Sequence, residues 1–457
     1  MDHVDYLLIG GGLASAKAVQ TIRSRDASGS IVLVAEEDRL PYDRPPLSKE
    51  IIRGELEPDE IASEGDSYYQ DHGVTTRIGV KVTALELGDH HHRAVLSSGE
   101  SISFTRALLA TGGVPRRLGV PGESLPGVHS LRNLDDALAI ASAAAGDRAV
   151  IVGAGFIGVE LAASLRQRGM AVTVVEMADE IWPSFAPGEL ARAVRERCEA
   201  RGVEFRFGRR VSAFEERSAA GDPAGAGGPA PATTEVLNPE RGVAVVLDNG
   251  ERIHADLACV AIGIEPALEL AADAGLALAD GVVVNEHLQS SHPDIFAAGD
   301  IARVPDPFFG DRRRVEHYGN AEYGGLLAGQ NMTGETASFA LLSYLWSDVF
   351  DMHLEAAGAP DLATRFVRRD PPPGETPSGA DPAAETAETA GLADTPPPSF
   401  MLIGLDGEGK VVSYMALNRP DRDFAPLQIL IKKGISVAGK EDQLADPSAP
   451  LVQVLKG

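Results

Sequence analysis

Tyr6-Leu7-Leu8-Ile9-Gly10-Gly11-Gly12-Leu13-Ala14-Ser15 opens the chain, and Val150-Ile151-Val152-Gly153-Ala154-Gly155-Phe156-Ile157-Gly158 repeats its pattern 143 positions later. In each stretch an apolar run of strand type feeds a tight glycine turn and then a helix-forming segment. Gly10 and Gly12 in the first, and Gly153, Gly155 and Gly158 in the second, allow the turn, admit a pyrophosphate and seat the helix on its strand. The pyrophosphate would rest on the helix N-terminus, where unpaired N–H groups and the helix dipole favour negative charge. Each copy is followed by a second strand-like run ending in an acid, Ile31-Val32-Leu33-Val34-Ala35-Glu36 and Ala171-Val172-Thr173-Val174-Val175-Glu176. A carboxylate there can accept both ribose hydroxyls of an adenosine. Two complete units predict two dinucleotides, and FAD with NADH is the natural pairing. One true site beside a purely structural strand–helix–strand turn is the competing reading.

The chain of 457 residues is long enough for two or three domains with ample core. Hydrophobic residues make up 44%, as in a globular protein, and no run reaches the roughly 18 apolar residues of a membrane span. Met1-Asp2-His3-Val4 leads directly into the first strand, so a cytoplasmic address without a signal peptide is expected. A formal charge of −26 argues against nucleic acid and anionic membrane surfaces as partners. Cys198 and Cys259 are the only cysteines, and neither belongs to a CxxC or CxxxxC pair. A redox-active dithiol is therefore excluded, and both read as small buried hydrophobes. The run Asp89-His90-His91-His92 reads as a solvated hairpin; no Cys/His cluster has zinc spacing, and no metal is expected.

Organisation along the chain predicts an α/β protein with two interleaved Rossmann-like domains. Residues 1–113 form the first part of an FAD-binding domain, 114–262 an NAD-binding domain and 263–338 the returning part of the first. Residues 339–457 read as a C-terminal α+β module, in which Phe400–Leu405 and Lys410–Tyr414 flank a turn at 406–409. Two stretches lack the composition for packed structure: Arg217 to Glu240, and an insert at 370–399 with six acids, eight prolines and no bases.

Between and beyond the two glycine signatures lie Leu40-Pro41-Tyr42-Asp43-Arg44-Pro45-Pro46-Leu47-Ser48-Lys49, Ala110-Thr111-Gly112-Gly113, Ala261-Ile262-Gly263-Ile264-Glu265-Pro266 and Ala297-Ala298-Gly299-Asp300. Arg314-Val315-Glu316-His317 and Leu345-Trp346-Ser347-Asp348 follow. In this order the motifs resemble the flavin-dependent ferredoxin, putidaredoxin and rubredoxin reductases together with apoptosis-inducing factor and its bacterial relatives. The last two are most similar to the apoptosis-inducing-factor branch. Ser15 stands where Ala or Gly is usual, and Tyr318 where these reductases often have Trp.

The resemblance implies that Lys49 lies at the flavin and pairs with Glu160, which faces the nicotinamide. A cation there would stabilise the charge a flavin gains on reduction. It also implies flavin contacts for Arg44, the 110–112 segment (Ala110, Thr111, Gly112) and Asp300, a nucleotide-side turn at Gly263, and a ring-bordering place for Glu316, His317 and Trp346. Read as residues alone, Arg44 could be a surface ion-pair former, Asp300 a helix cap, His317 an interior histidine and Trp346 plain core. Glu160, read as a first-turn acid, would suit the helix dipole. Arg312-Arg313-Arg314 is either a solvated run or a docking patch for an acidic carrier. The expected activity is hydride transfer from NADH to FAD, with electrons passing to a ferredoxin- or rubredoxin-like carrier. The alternative is an NADH-responsive flavoprotein whose redox state controls assembly or partner binding, and a homodimer is left open.

Overall fold

Strands buried on both faces read as unbroken apolar runs; in the computed structural model β2 (Ile31–Val34) is one, and β1 (His3–Ile9) and β3 (Ser101–Leu109) become so at their C-terminal ends, with the helix α1 (Leu13–Arg25) between β1 and β2. The structure describes residues 3–65, 67–88, 92–216, 242–377 and 396–455. β1 lies parallel between β2 and β3, with Tyr6 opposite Ile31 and Ile9 opposite Leu109. Val74–Arg77 extends the sheet beyond β2. The strand Ile295–Ala297, far along the chain, pairs parallel with β3 and returns the polypeptide to the first sheet.

The second unit repeats the plan. β4 (Arg148–Val152), α2 (Phe156–Gln167) and β5 (Ala171–Glu176) belong to a five-stranded parallel sheet that also holds Val203–Phe207, Leu257–Val260 and Val128–Ser130. The chain crosses between the sheets on two antiparallel segments, Gly113–Pro115 against Ile264–Pro266. α3 (Gly188–Ala200) covers the second sheet, and α4 (Tyr318–Met332) lies on α1. A Cβ at Gly325 would stand 2.3 Å from the Ala14 carbonyl oxygen, and one at Gly329 2.7 Å from that of Ala18. Only glycine lets these two helix backbones approach so closely, which fixes α1 and its N-terminus against the returning segment.

β6 (Tyr344–Val349) and β7 (Met352–Gly358) begin a five-stranded antiparallel sheet at the C-terminal end. The expected hairpin is present, longer on its second side, as Phe400–Leu405 and Val411–Leu417. Its turn is held by Asp406, which accepts from the Lys410 N–H at 2.8 Å. The 217–240 expectation and residues 378–395 of the insert lie outside the described residues, as do Asp89, His90 and His91. Before that gap Glu375 already pairs with Arg422 and stands 3.6 Å from Arg419. Among the described residues no helix is long and apolar enough to cross a membrane.

Asp351, in the turn between β6 and β7, fastens this sheet to α3. Its carboxylate accepts from Arg197 Nε at 3.0 Å, again from Arg197 Nη2, and from Arg201 Nη2 at 2.9 Å. Burial works against the Asp351 charge, but the two guanidiniums outweigh it and lower its pKa. The stability it contributes is present above the unfolded carboxylate pKa and is lost as pH falls through the folded value. Asp351→Ala removes the carboxylate that both buried guanidiniums share and should destabilise the protein at pH 7 by about 1.5–3 kcal/mol in denaturant titration. The gap to the parent should narrow below about pH 4; a loss under about 1 kcal/mol at pH 7 would show that the pair contributes no more than a surface contact.

Candidate active site

Gly12 and Gly155 are the N-caps of α1 and α2, and no side chain caps either helix. Nothing lies within 4 Å of where a Cβ would project from either glycine. Each helix therefore presents its unpaired N–H groups to open space, the electrostatics a pyrophosphate requires. Gly10 and Gly153 make the turns with φ of 118° and 103°. A Cβ would meet the Ala110 carbonyl oxygen at 2.2 Å from Gly10, and that of Ala261 at 2.6 Å from Gly153. Gly158 is equally constrained, its Cβ position 2.1 Å from the Gly153 carbonyl oxygen. Ser15 is fully buried, and its hydroxyl has no partner among the described residues.

The two acids after the second strands differ. β2 ends at Val34, and Glu36 is exposed beyond it, 3.2 Å from Lys81. Glu176 closes β5, is buried, and accepts from the Ala154 N–H at 2.7 Å and the Ala178 N–H at 2.8 Å. Glu176 thus braces the second glycine turn from below.

Lys49 and Glu160 meet where three segments converge. Their charged atoms are 3.5 Å apart, and the side chains are only 7% and 8% exposed. Glu160 also accepts from the Ser48 hydroxyl at 2.6 Å and from the Ser347 hydroxyl at 2.6 Å. Lys49 has a second acid, Asp348, at 3.8 Å. Glu160 lies beyond the first turn of α2, so its charge is held by these partners rather than by the helix dipole. The two serines were missed in the sequence, although each adjoins a residue already singled out.

Arg44 donates to Glu37 at 2.6 Å and to the Arg132 carbonyl. Asp300 lies inside a short 3-10 turn, Gly299–Ile301, and is no helix cap. It accepts from Arg132 Nη2 at 3.1 Å. Gly112 leaves room for that guanidinium: a Cβ there would stand 2.8 Å from Arg132 Nη2. Arg132 and Glu37, neither singled out in the sequence, therefore join Arg44, Gly112 and Asp300 in one polar wall. Ala110 binds back to Ile9, and Thr111 to the Ala267 carbonyl. Gly263, with φ of 92°, precedes the crossing segment.

His317 caps α4, and its Nδ1 is buried without a partner. Desolvation pushes its pKa down to about 4 despite the Asp300 charge, so the ring is neutral near pH 7. Glu316 is exposed and pairs with Arg314. Both border a cleft of about 390 Å³ that also reaches Phe185 and Tyr344. Trp346 packs edge-on against Tyr318 at 5.5 Å and alongside Tyr344 at 6.2 Å. Two members of the arginine run are ion-paired. Arg312 donates to the Val284 carbonyl, Arg313 pairs with Asp361 at 3.1 Å, and Arg314 with Glu316.

The family model described as pyridine nucleotide-disulphide oxidoreductase matches residues 4–325. The chain belongs to that family. It is 30% identical over 448 residues to the ferredoxin–NAD(+) reductase component of the anthranilate 1,2-dioxygenase system of Burkholderia cepacia, covering 98% of each chain. Against the rubredoxin–NAD(+) reductase of Pseudomonas putida it is 30% identical, over 77% of this chain and 86% of that one. The solved covalent putidaredoxin reductase–putidaredoxin complex matches with a TM-score of 0.83 and 26% identity, over 100% of this chain and 99% of that one.

One feature of the family's name is missing from this pyridine nucleotide-disulphide oxidoreductase. Cys198 and Cys259 are both free and buried, and desolvation pushes each thiol up to about 12. Neither is a thiolate at neutral pH, and they cannot serve as an exchanging dithiol. Native protein at pH 8 should leave both unmodified by a thiol reagent that labels two groups after denaturation. Rapid labelling of either in the native state would contradict the burial.

Proposed function

We propose that the chain is an FAD-dependent NADH oxidoreductase that delivers electrons to a ferredoxin- or rubredoxin-like carrier. The observation that carries this reading is the buried Lys49–Glu160 pair, whose glutamate stands on one of two uncapped glycine-led helices. FAD, when bound, supplies a ring that accepts hydride and can give electrons up one at a time. Residues 1–113 and 263–338 hold it, residues 114–262 hold NADH, and residues 339–457 close over both.

In this reading Gly10, Gly12 and the unpaired Ser15 hydroxyl receive the flavin pyrophosphate, and Glu36 its ribose. Arg44 and Asp300, steadied by Arg132, line the ribityl side with Ala110, Thr111 and Gly112. Gly153, Gly155 and Gly158 receive the nicotinamide dinucleotide, with Glu176 and Gly263 shaping its place. Lys49 brings a positive charge to where negative charge grows on reduction, and Glu160 keeps that lysine oriented. Glu316, His317 and Trp346 border the ring, where a neutral His317 adds no charge. Since the cysteines offer no internal dithiol, the electrons leave for an external protein. We place the enzyme in the cytoplasm.

The test is anaerobic mixing of the purified protein with NADH, then with an oxidised iron–sulfur carrier. The flavin spectrum should bleach and then recover as the carrier is reduced. Protein without bound flavin, or reduced protein that ignores ferredoxins and rubredoxins alike, would overturn the proposal.

NADH should be preferred over NADPH. The second strand of the nicotinamide unit ends in Glu176, with Asp179 and Glu180 close behind. The neighbouring Arg209 directs its guanidinium toward Asp248, 3.9 Å away. Glu180 is paired with Arg195 at 3.0 Å, so a 2′-phosphate would meet the charges of Glu176 and Asp179 and lose a hydrogen bond, at a cost on the order of 2–3 kcal/mol, or about a hundredfold in kcat/KM. Equal turnover of the two nucleotides with the same artificial acceptor would remove Glu176 from that role.

A further inference from the structure

Lys49 and Glu160 are screened from water, yet a chain of alternating charges connects them to the surface. Asp348 and His353 face each other across β6 and β7 as a cross-strand pair. Asp348 Oδ1 is 2.6 Å from His353 Nδ1, and its other oxygen is 3.8 Å from Lys49 Nζ. The side chains of Asp348 and His353 are 42% and 29% exposed. His353 is held in place through its backbone, its N–H donating to Asn418 Oδ1 at 2.8 Å and its carbonyl accepting from the Asn418 N–H at 2.8 Å. Asp348 ends a motif quoted from the sequence without a role of its own, and His353 stands outside every motif.

We propose that His353 is a positioning residue that acts through Asp348 on Lys49, making the flavin's readiness to be reduced follow the protonation of a surface histidine. The inference rests on the proposed function, which puts the flavin beside Lys49. With His353 protonated, the four groups Glu160, Lys49, Asp348 and His353 sum to zero charge. When His353 loses its proton, the cluster carries one net negative charge, and added negative charge on a neighbour is opposed.

The other charges facing these groups keep the histidine in a useful range. Hydrogen bonding to Asp348 raises the His353 pKa above the ordinary 6.5; burial opposes this, while the Asp348, Glu355 and Asp421 charges add to it. Burial disfavours the Asp348 charge, but His353, Lys49 and Arg53 outweigh it and keep the carboxylate ionised. The balance favours the charged form of His353.

One unit charge roughly 12 Å away, in an effective dielectric between about 20 and 40, changes the equilibrium constant for reduction by roughly three- to tenfold. For a two-electron couple that is about 15–30 mV. The experiment is the midpoint potential of the bound flavin from pH 6 to 9 in the parent, His353→Gln, His353→Lys, Asp348→Asn and the 348/353 double variant. The parent should fall away from the ordinary pH line as His353 deprotonates. His353→Gln should follow the lower limb throughout and His353→Lys the upper. In the Asp348→Asn background, the effect of His353→Gln should be much smaller. Superimposed profiles for parent and His353→Gln, or a His353 effect of equal size with and without Asp348, would overturn the relay. Protein lacking flavin would be seen in the first spectrum, and would overturn the proposed function as well.

Discussion

A lysine ammonium and a glutamate carboxylate, removed from water and facing each other at 3.5 Å, set the geometry around which the rest of the molecule is arranged. Desolvating two such ions costs several kcal/mol each, and the cost is recovered only if their geometry is good and their remaining hydrogen-bonding capacity is met. Here the need is met from three places: Ser48 from the segment after β2, Ser347 from β6, and the pair itself. Buried charge thus acts as a registration device. Glu160 is satisfied only when the first unit, the second unit and the C-terminal sheet are all docked. The Asp351 cluster repeats that logic on the far side, tying the same sheet to α3.

Backbone geometry does the complementary work. Both glycine turns leave helix N-termini uncapped and open, while the neighbouring glycines sit where a Cβ would strike a carbonyl. Polar groups without protein partners, the Ser15 hydroxyl and His317 Nδ1, lie in the same region. Buried polar atoms are seldom left unpaired without cause, and here both belong to segments proposed to surround the flavin. With both thiols buried in apolar layers, redox chemistry at this site has no internal partner and must engage something outside the chain.

Much of this was legible in the sequence because it is local. A strand, a glycine turn and a helix lie within about a dozen residues, so Gly10, Gly12, Gly153, Gly155 and Gly158 declare themselves, and so does the hairpin around Asp406. What stayed hidden depends on pairs far apart in the chain. Ser48 and Glu160 are 112 positions apart, Ser347 and Glu160 187, and Arg197 and Asp351 154. No periodicity links such residues. The polar wall shows the same limit, since Arg132 and Glu37 matter only once folding brings them to Asp300 and Arg44. Local reading also erred by a turn or less: β2 stops at Val34, short of Glu36, and Glu160 lies past the first turn of its helix.

The coupling between Lys49 and Glu160 can be measured directly by a double-mutant cycle on the single-turnover rate constant for flavin reduction by NADH. Lys49→Met, Glu160→Gln and the double variant would be compared with the parent, in protein that retains its flavin. Each single change takes from a buried charge its nearest opposite charge and should cost about 2–4 kcal/mol in transition-state stabilisation. The double change leaves neither charge, so its cost should fall well short of the sum, with a coupling of at least about 1 kcal/mol. Additive costs would mean that the two residues act independently, and that the buried pair is not what organises the site.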